Sequence, residues 1–203
     1  AGVLVFDILR PAWEIVLKTD VLAPVVKPEV LQWVDLAEGM LQCRVYLQYR
    51  IENAGVKSFR IQSPAPGASL AFTGRQIARV AEVDKAAGIW QVDLHGKVED
   101  RFSMTATYQV PYDPASREVR ILPLQAMDAE EQRGYLVVTC AGRVQVQAAG
   151  NLTGLKVEDP RTVPSTFGAG DLSGAILCYR TLRSDYDLSL SVVTRLGRRP
   201  AGQ

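Results

Sequence analysis

Residues 41–51 carry the clearest alternation of hydrophobic and polar positions in the chain. The intervening positions are polar except for Tyr46, and the apolar parity consists of Leu41, Cys43, Val45, Leu47, Tyr49 and Ile51. Because successive side chains of a β-strand point to opposite faces, this period of two predicts a long strand with one buried and one solvated face. We expect this strand to be central in its sheet, with Val45, Leu47 and Tyr49 buried.

Turn-forming residues divide the alternation into hairpins. Asn53-Ala54-Gly55 follows the first strand, and because Asn and Gly tolerate the positive φ of a tight reversal, it predicts a turn and a returning strand up to Gln62. A second hairpin is predicted from residues 89–94 and 101–110, joined by the polar residues 95–100. Both hairpins would place one apolar face on a common core.

Two more hairpins are predicted in the C-terminal half. Residues 134–140 would pair with 143–149 around Ala141-Gly142, and residues 175–180 would pair with 186–195. The core positions of the last strand are Leu188, Leu190 and Val192. A buried face on each hairpin is the arrangement expected of sheets that cover a core.

Shorter patterns complete the chain. Residues 3–9, 13–20 and 30–36 are predicted strands, and residues 128–132 form the best candidate for a short helix, with Asp128 at its N-cap. Turn signals recur roughly every 8–12 residues, which predicts about a dozen strands. The predicted fold class is all-β: a large antiparallel β-sandwich with minimal helix, spanning residues 1–203 as a single domain.

Net charge and the length of apolar runs limit the classes of partner that we expect for this chain. The 203 residues carry a net charge of +1, so no global field attracts nucleic acid, and no apolar run reaches the roughly 18 residues that cross a bilayer. We therefore expect no nucleic-acid partner and no transmembrane segment here. The first residue is Ala1, which favours a piece of a longer protein. Its expected partners are neighbouring domains of the same chain, and we expect a monomer or a weak dimer formed through an exposed sheet edge.

The three cysteines, Cys43, Cys140 and Cys178, are too widely spaced for a disulfide framework or a zinc site. Each lies in a predicted strand, where a free cysteine behaves as a small apolar side chain. Buried free thiols are the favoured assignment. One bridge with one free thiol stays open for an oxidising compartment.

No catalytic constellation is evident in the sequence. A Ser/His/Asp triad would have to use His95, the only histidine, which we interpret as a solvated residue at a strand end. The carboxylates Glu99-Asp100 and those of residues 128–131 are typical of turns and solubilising charge, although an enzyme that uses acidic residues stays a third alternative. We predict no catalytic, cofactor-binding or metal-binding residue, and no enzymatic activity.

Aromatic side chains are the remaining candidates for ligand contact. Trp13 and Trp90 lie on apolar parities and are predicted to be core residues. Trp33, Tyr46 and Tyr112 are the candidate ligand-contacting aromatics, because a carbohydrate-binding module needs exposed rings together in a shallow groove.

The order of these elements resembles the super-sandwich domains of large bacterial extracytoplasmic proteins. The matching pieces are VYLQYRIENAGVKSFRIQSP, GIWQVDLHG, EEQRGYLVV and YDLSLSVVTR. The resemblance implies a multi-stranded sandwich module of a periplasmic, cell-surface or membrane-anchored protein, and it transfers no functional residue. The favoured function is a non-catalytic structural or interaction module of that larger protein, with a carbohydrate or a protein as the candidate partner. The alternative is a carbohydrate-binding module or an accessory domain of a carbohydrate-active enzyme.

Overall fold

Two β-sheets pack face to face in the computed structural model, which describes residues 5–7, 9, 11–16, 22–129, 131–141 and 144–194. The twelve strands are β1 (Val25–Ala37), β2 (Met40–Gln62), β3 (Ala71–Gly74), β4 (Ile77–Asp84), β5 (Ile89–Pro111), β6 (Glu118–Ile121), β7 (Gln125–Ala126), β8 (Arg133–Cys140), β9 (Val144–Ala149), β10 (Leu155–Val157), β11 (Leu177–Thr181) and β12 (Leu188–Thr194). Two 3-10 turns follow β10, at Pro160–Thr162 and Ser165–Phe167.

The large sheet has nine strands and the small sheet has three. The large sheet runs in the order β10-β11-β8-β1-β2-β5-β3, with β4 added to β5 and β7 added to β2, and the small sheet runs β6-β12-β9. The predicted all-β sandwich is confirmed. One pair departs from the predicted antiparallel arrangement, because β1 and β8 run parallel. The chain reaches β8 only after passing through β2–β7, and so long a connection permits a parallel pair where a tight turn would not. None of the described residues forms a helix long and apolar enough to cross a membrane.

The core lies between the small sheet and the face of the large sheet that meets it, which we call the inner face. The predicted buried parity of β2 is confirmed, with Val45 and Leu47 fully buried and Tyr49 3% exposed. Strand β2 is central, with β1 on one side and β5 on the other. The predicted core positions of β12 are also confirmed. They pack in the same cluster and comprise Leu188, Leu190 and Val192.

The first two predicted hairpins are wrong. Strands β2 and β5 each run without reversal through the expected turns and pair with each other along their length. Asn53 does adopt a positive φ of 72°, but it lies in an irregular stretch where residues 52–55 stand opposite Glu99 alone. A positive φ occurs in a β-bulge as well as in a turn, so the presence of Asn and Gly at residues 53–55 does not distinguish a bulge from a turn.

The third and fourth predicted hairpins are also wrong, although their strands are correctly located. Strand β8 pairs with β1 and β11 in the large sheet, whereas β9 pairs with β12 in the small sheet. Likewise β11 and β12 lie in different sheets. The chain changes sheet at both expected turns, because each connection joins the two layers of the sandwich and not two neighbours in one layer.

The expected helix is wrong as well, because Asp128 has a left-handed φ of 59° and residues 127–128 form a turn. Residue 130 lies outside the described residues. Residues 5–7, 9 and 11–16 carry no strand, and the rest of the predicted strands 3–9 and 13–20 lies outside the described residues. Trp13, predicted to be in the core, is 60% exposed.

A buried polar network joins the two layers. Gln32 occupies an inner-face position of β1 and is 1% exposed. Its amide nitrogen donates to the Leu122 carbonyl oxygen at 3.0 Å and to the Tyr108 hydroxyl at 3.3 Å. Its amide oxygen accepts from the Tyr186 hydroxyl at 3.0 Å and from the Leu124 amide at 3.2 Å. Each bond satisfies a group that would be costly to bury alone, so the network holds the segment between β6 and β7 against β1.

The buried thiol of Cys43 predicts a loss of stability at alkaline pH. Burial raises the pKa of Cys43 from 9.0 to about 11, with a hydrogen bond to Tyr108 acting in the opposite direction. As the pH rises above 9, the unfolded chain loses this proton while the folded chain keeps it until about pH 11. The contribution of the neutral, buried Cys43 thiol to the unfolding free energy is therefore fully present below pH 9 and is lost between pH 9 and 11.

We expect Cys43→Ala to remove about 2 kcal/mol of the decrease in unfolding free energy between pH 8 and about 10.5. Urea unfolding at both pH values, with a reductant present, measures the decrease for each protein. The comparison variant is Cys140→Ala: burial raises the pKa of Cys140 as well, but its thiol is only half-buried, so we expect this variant to remove a smaller part of the decrease. An identical decrease in Cys43→Ala and the unsubstituted chain would contradict the assignment.

Candidate interaction face of the large sheet

A second apolar cluster lies on the face of the large sheet that points away from the small sheet. We call this face the outer face. The buried members of the cluster are Leu31, Tyr135, Val137, Phe167 and Cys178. Residues 158–176 cross over this cluster and contribute Phe167 to it. Gly168 ends the second 3-10 turn with a left-handed φ of 68°, a conformation that glycine adopts without strain. The Gln48 amide donates to the Thr166 carbonyl oxygen and ties the crossing segment to β2.

The structure brings two of the three candidate aromatics together on this face. Trp33 is directly opposite Arg44 in the β1–β2 pair, so Tyr46, two residues further along β2, is its diagonal neighbour on the same face. Both are half-buried against the outer cluster. Tyr112 lies elsewhere, packed against the inner core with its hydroxyl donating to the Ala37 carbonyl oxygen at 2.7 Å.

Hydrogen bonds fix the Trp33 ring. Its indole Nε1 donates to the Thr139 Oγ1 at 3.0 Å, and that hydroxyl donates to the Asp35 Oδ1 at 2.8 Å. The ring borders a groove of about 920 Å³, which we call the Trp33 groove. Its other lining residues include Asp35, Gln42, Arg44, Thr107 and Gln109.

A second groove of about 1050 Å³, here the basic groove, lies near the opposite end of β1. Five cationic side chains line it together with two carboxylates. The cations are Lys27, Arg50, Arg101, Arg133 and Arg180, and the carboxylates are Glu29 and Glu131. Thr166 reaches its edge from the crossing segment. The two grooves therefore lie near the two ends of β1 and adjoin the segment that covers the outer cluster.

The residues considered for catalysis do not converge within the described part of the chain. His95 is exposed in β5, and its backbone amide donates to the Gln76 carbonyl oxygen at 2.9 Å. Asp128 binds Arg60, whose guanidinium holds the pKa of that carboxyl below its usual value. Among residues 22–129, 131–141 and 144–194, no three His, Cys, Asp or Glu side chains are grouped as metal ligands.

All three cysteines are free thiols in the structure. Cys43 and Cys178 are buried, as predicted, and Cys140 is half-buried. Burial also raises the pKa of Cys178 to about 11, so at neutral pH both buried thiols are protonated. Because a protonated thiol is a poor nucleophile and metal ligand, neither buried cysteine is suited to either role.

Sequence reasoning missed the cationic side chains that line the basic groove and the buried Gln32. Gln32 falls on the apolar parity of β1, between Val30 and Val34, and that position alone could have marked it as a buried polar residue. Arg50 and Arg101 each lie on a polar parity, but their juxtaposition depends on the β2–β5 pairing. No local pattern encodes that pairing.

Comparisons with known proteins identify the fold. No protein-family model matches the chain, and no curated protein sequence does either. Among solved structures, the chain is similar to an M1 zinc metallopeptidase from Deinococcus radiodurans bound to a Tyr-Ser-Ala substrate, with 13% identity and a TM-score of 0.50. It is also similar to a second structure of an M1 zinc metallopeptidase from Deinococcus radiodurans, with 11% identity and a TM-score of 0.50. In each case the match covers 83% of this chain and 42% of the peptidase chain, so it spans less than half of the matched proteins. At this identity the likeness concerns the fold alone.

Proposed function

We propose that the chain is a non-catalytic interaction module of a longer, extracytoplasmic bacterial protein, and that it binds other protein surfaces through the outer face of its large sheet. One observation carries this proposal. Among the described residues, segment 158–176 covers the centre of that face, and open grooves remain near both ends of β1. The location outside the cytoplasm rests on the super-sandwich resemblance, and recovery of the native protein from the cytosolic fraction would contradict it.

The matched solved structures support membership in a longer chain. This chain corresponds to 42% of each matched peptidase chain, and its described residues assemble no metal-ligand group. We infer that the module accompanies a further domain. If that domain is a peptidase, as in the matched proteins, its chemistry would lie outside the residues described here.

Hydroxyl-radical footprinting of the isolated chain and of the full-length gene product tests the interaction role. We expect Trp33 and Tyr46 to oxidise more slowly in the longer protein, because a docked surface would shield their rings. Trp13, which is 60% exposed and precedes the first strand, serves as the comparison residue. Equal oxidation rates at Trp33 and Tyr46 in the two proteins would contradict docking at this face.

Carbohydrate binding is the second candidate function, and the Trp33 groove favours it. A hydrogen-bonded indole beside Asp35 and Arg44 offers a sugar both an aromatic surface and planar polar partners. A glycan array should then show binding that Trp33→Ala abolishes and Trp13→Ala retains. Binding that is unchanged in Trp33→Ala would exclude this groove.

The non-catalytic assignment predicts that His95 is dispensable. We expect His95→Ala to retain the unfolding free energy of the unsubstituted chain within about 0.5 kcal/mol, because the side chain is exposed. Urea unfolding measures this difference. The parallel assay follows hydrolysis of the tripeptide Tyr-Ser-Ala with added Zn²⁺, for which we expect no turnover above the blank. Turnover that His95→Ala abolishes would overturn the non-catalytic assignment.

A further inference from the structure

Three cationic residues form a row across the outer face at the basic groove. Lys27 on β1 is directly opposite Arg50 on β2, and Arg50 is directly opposite Arg101 on β5. All three side chains are exposed. Because neighbouring strands lie about 4.8 Å apart, this register places the Cα atoms of the three cationic residues within about 10 Å across the sheet.

This row is unfavourable for the chain by itself. Like charges directly opposite on adjacent strands destabilise a sheet. Lys27 is paired, since its Nζ lies 2.9 Å from the Glu52 Oε2. Arg50 and Arg101 take part in none of the ion pairs found among the described residues. Local arrangements that oppose stability are expected where a ligand binds, and an anion is the ligand that would neutralise this row.

The residues around the row complete the basic groove. Arg133 and Arg180 add two more cations to the same groove lining. Arg133 is paired with Glu131 at 2.8 Å, and Arg180 lies over the Tyr135 ring with its guanidinium carbon 5.8 Å from the ring centroid. Arg50 and Arg101 thus remain available for a ligand while the cations around them are held by the protein.

We propose that the basic groove binds an acidic, extended peptide segment of a partner protein, with carboxylates of that segment on Arg50 and Arg101. The inference rests on the proposed interaction function and names the chemistry of the partner. The planar guanidinium group bonds a carboxylate through two parallel N–H···O bonds, which makes arginine well suited to such recognition. Alternate side chains of an extended segment lie about 7 Å apart, close enough to reach neighbouring arginines.

The charge distribution favours an acidic peptide over a nucleic acid. The net charge of +1 supplies no long-range attraction for a polyphosphate. Glu29 and Glu131 line the same groove and would repel a continuous row of phosphates. A peptide can place its carboxylates at the arginines and neutral residues beside the two glutamates.

Titration with the fluorescently labelled peptide Glu-Ser-Glu-Ser-Glu-Ser tests the proposal, with Gln-Ser-Gln-Ser-Gln-Ser as the neutral probe. We expect the glutamate peptide to bind at low ionic strength, the glutamine peptide not to bind, and R50Q/R101Q to weaken binding of the glutamate peptide at least about tenfold, which corresponds to one good charged contact. The matched control is R79Q/R117Q, which removes the same charge from two exposed arginines that do not line the groove. It should change the affinity less than about twofold if the local row, and not net charge, binds the peptide.

Urea unfolding of R50Q/R101Q separates a ligand role from a structural one. Because the substitutions relieve repulsion, we expect the unfolding midpoint at low salt to equal or exceed that of the unsubstituted chain. A lowered midpoint would mean that the arginines stabilise the sheet, and it would overturn the proposal.

Three further results would also overturn the proposal: equal binding of the two peptides, equal weakening by the two double variants, and tighter binding of a six-residue oligothymidine at the same arginines. Protection of Trp33 and Tyr46 in the full-length protein without binding of the glutamate peptide would reject this inference alone. Unprotected aromatics would reject the proposed function itself.

Discussion

Gly134→Ala is expected to abolish folding or to lower the unfolding free energy by more than about 4 kcal/mol, a loss that few single substitutions produce. A Cβ at residue 134 would collide with the Val30 carbonyl oxygen and would lie only 2.6 Å from its carbonyl carbon and 2.8 Å from its amide nitrogen. These are backbone atoms of β1, directly opposite Gly134 in the parallel β1–β8 pair. No side-chain rotation can relieve the overlap, so one of two central strands would have to move.

Urea unfolding followed by circular dichroism measures this loss. The matched control is Gly96→Ala in β5, where a Cβ would meet nothing within 4 Å. The control should change the unfolding free energy by less than about 0.5 kcal/mol. A Gly134→Ala protein that unfolds within about 1 kcal/mol of the unsubstituted chain would show that β1 and β8 do not approach as closely as described.

Leu47→Ala is expected to lower the unfolding free energy by about 2–5 kcal/mol. Leu47 is fully buried on the inner face of β2. Its removal costs the transfer free energy of the lost methyl groups and leaves a cavity that close-packed neighbours cannot fill. Because β2 is bounded by β1 and β5, both flanking strands restrict collapse around that cavity.

The same urea titration provides the measurement, and Leu22→Ala provides the control. Leu22 lies outside the strands and is 60% exposed, so its truncation should cost less than about 0.5 kcal/mol. A loss below about 0.5 kcal/mol for Leu47→Ala would mean that the inner and outer faces of β2 are wrongly assigned.

The faces of individual strands were predictable because burial along a strand follows a purely local period of two. That is why the buried positions Val45 and Leu47 in β2, and Leu188 and Leu190 in β12, follow directly from the sequence. The same local information cannot identify the partner of a strand. Every expected hairpin failed for this reason: pairings such as β2 with β5 and β8 with β1 join segments that are distant in sequence.

The candidate site residues show the same difference between local patterns, which are predictable, and strand pairing, which is not. Trp33 and Tyr46 were chosen separately, and only the β1–β2 register makes them neighbours on one face. Tyr112 was chosen with them, but its hydroxyl bonds to Ala37 and its ring packs on the inner core. Arg50 and Arg101 could be placed opposite each other only if the β2–β5 register were known. The bulge at residues 52–55 shifts that register, and the local sequence pattern does not predict the shift.

The position of β1 between β2 and β8 also determines the order in which the sheet can form. Strand β2 follows β1 after a short turn, so that pair can assemble as soon as both have left the ribosome. The other edge of β1 must wait for β8, which begins about 100 residues later, and non-local pairing of this kind is slow. Until then the unpaired edge of β1, with Leu31 and Val34 in the stretch that later joins β8, is open to any other strand. Nascent chains should therefore be most prone to aggregation while β8 is still being synthesised, and a chaperone that shields exposed strand edges would have its main effect in that interval.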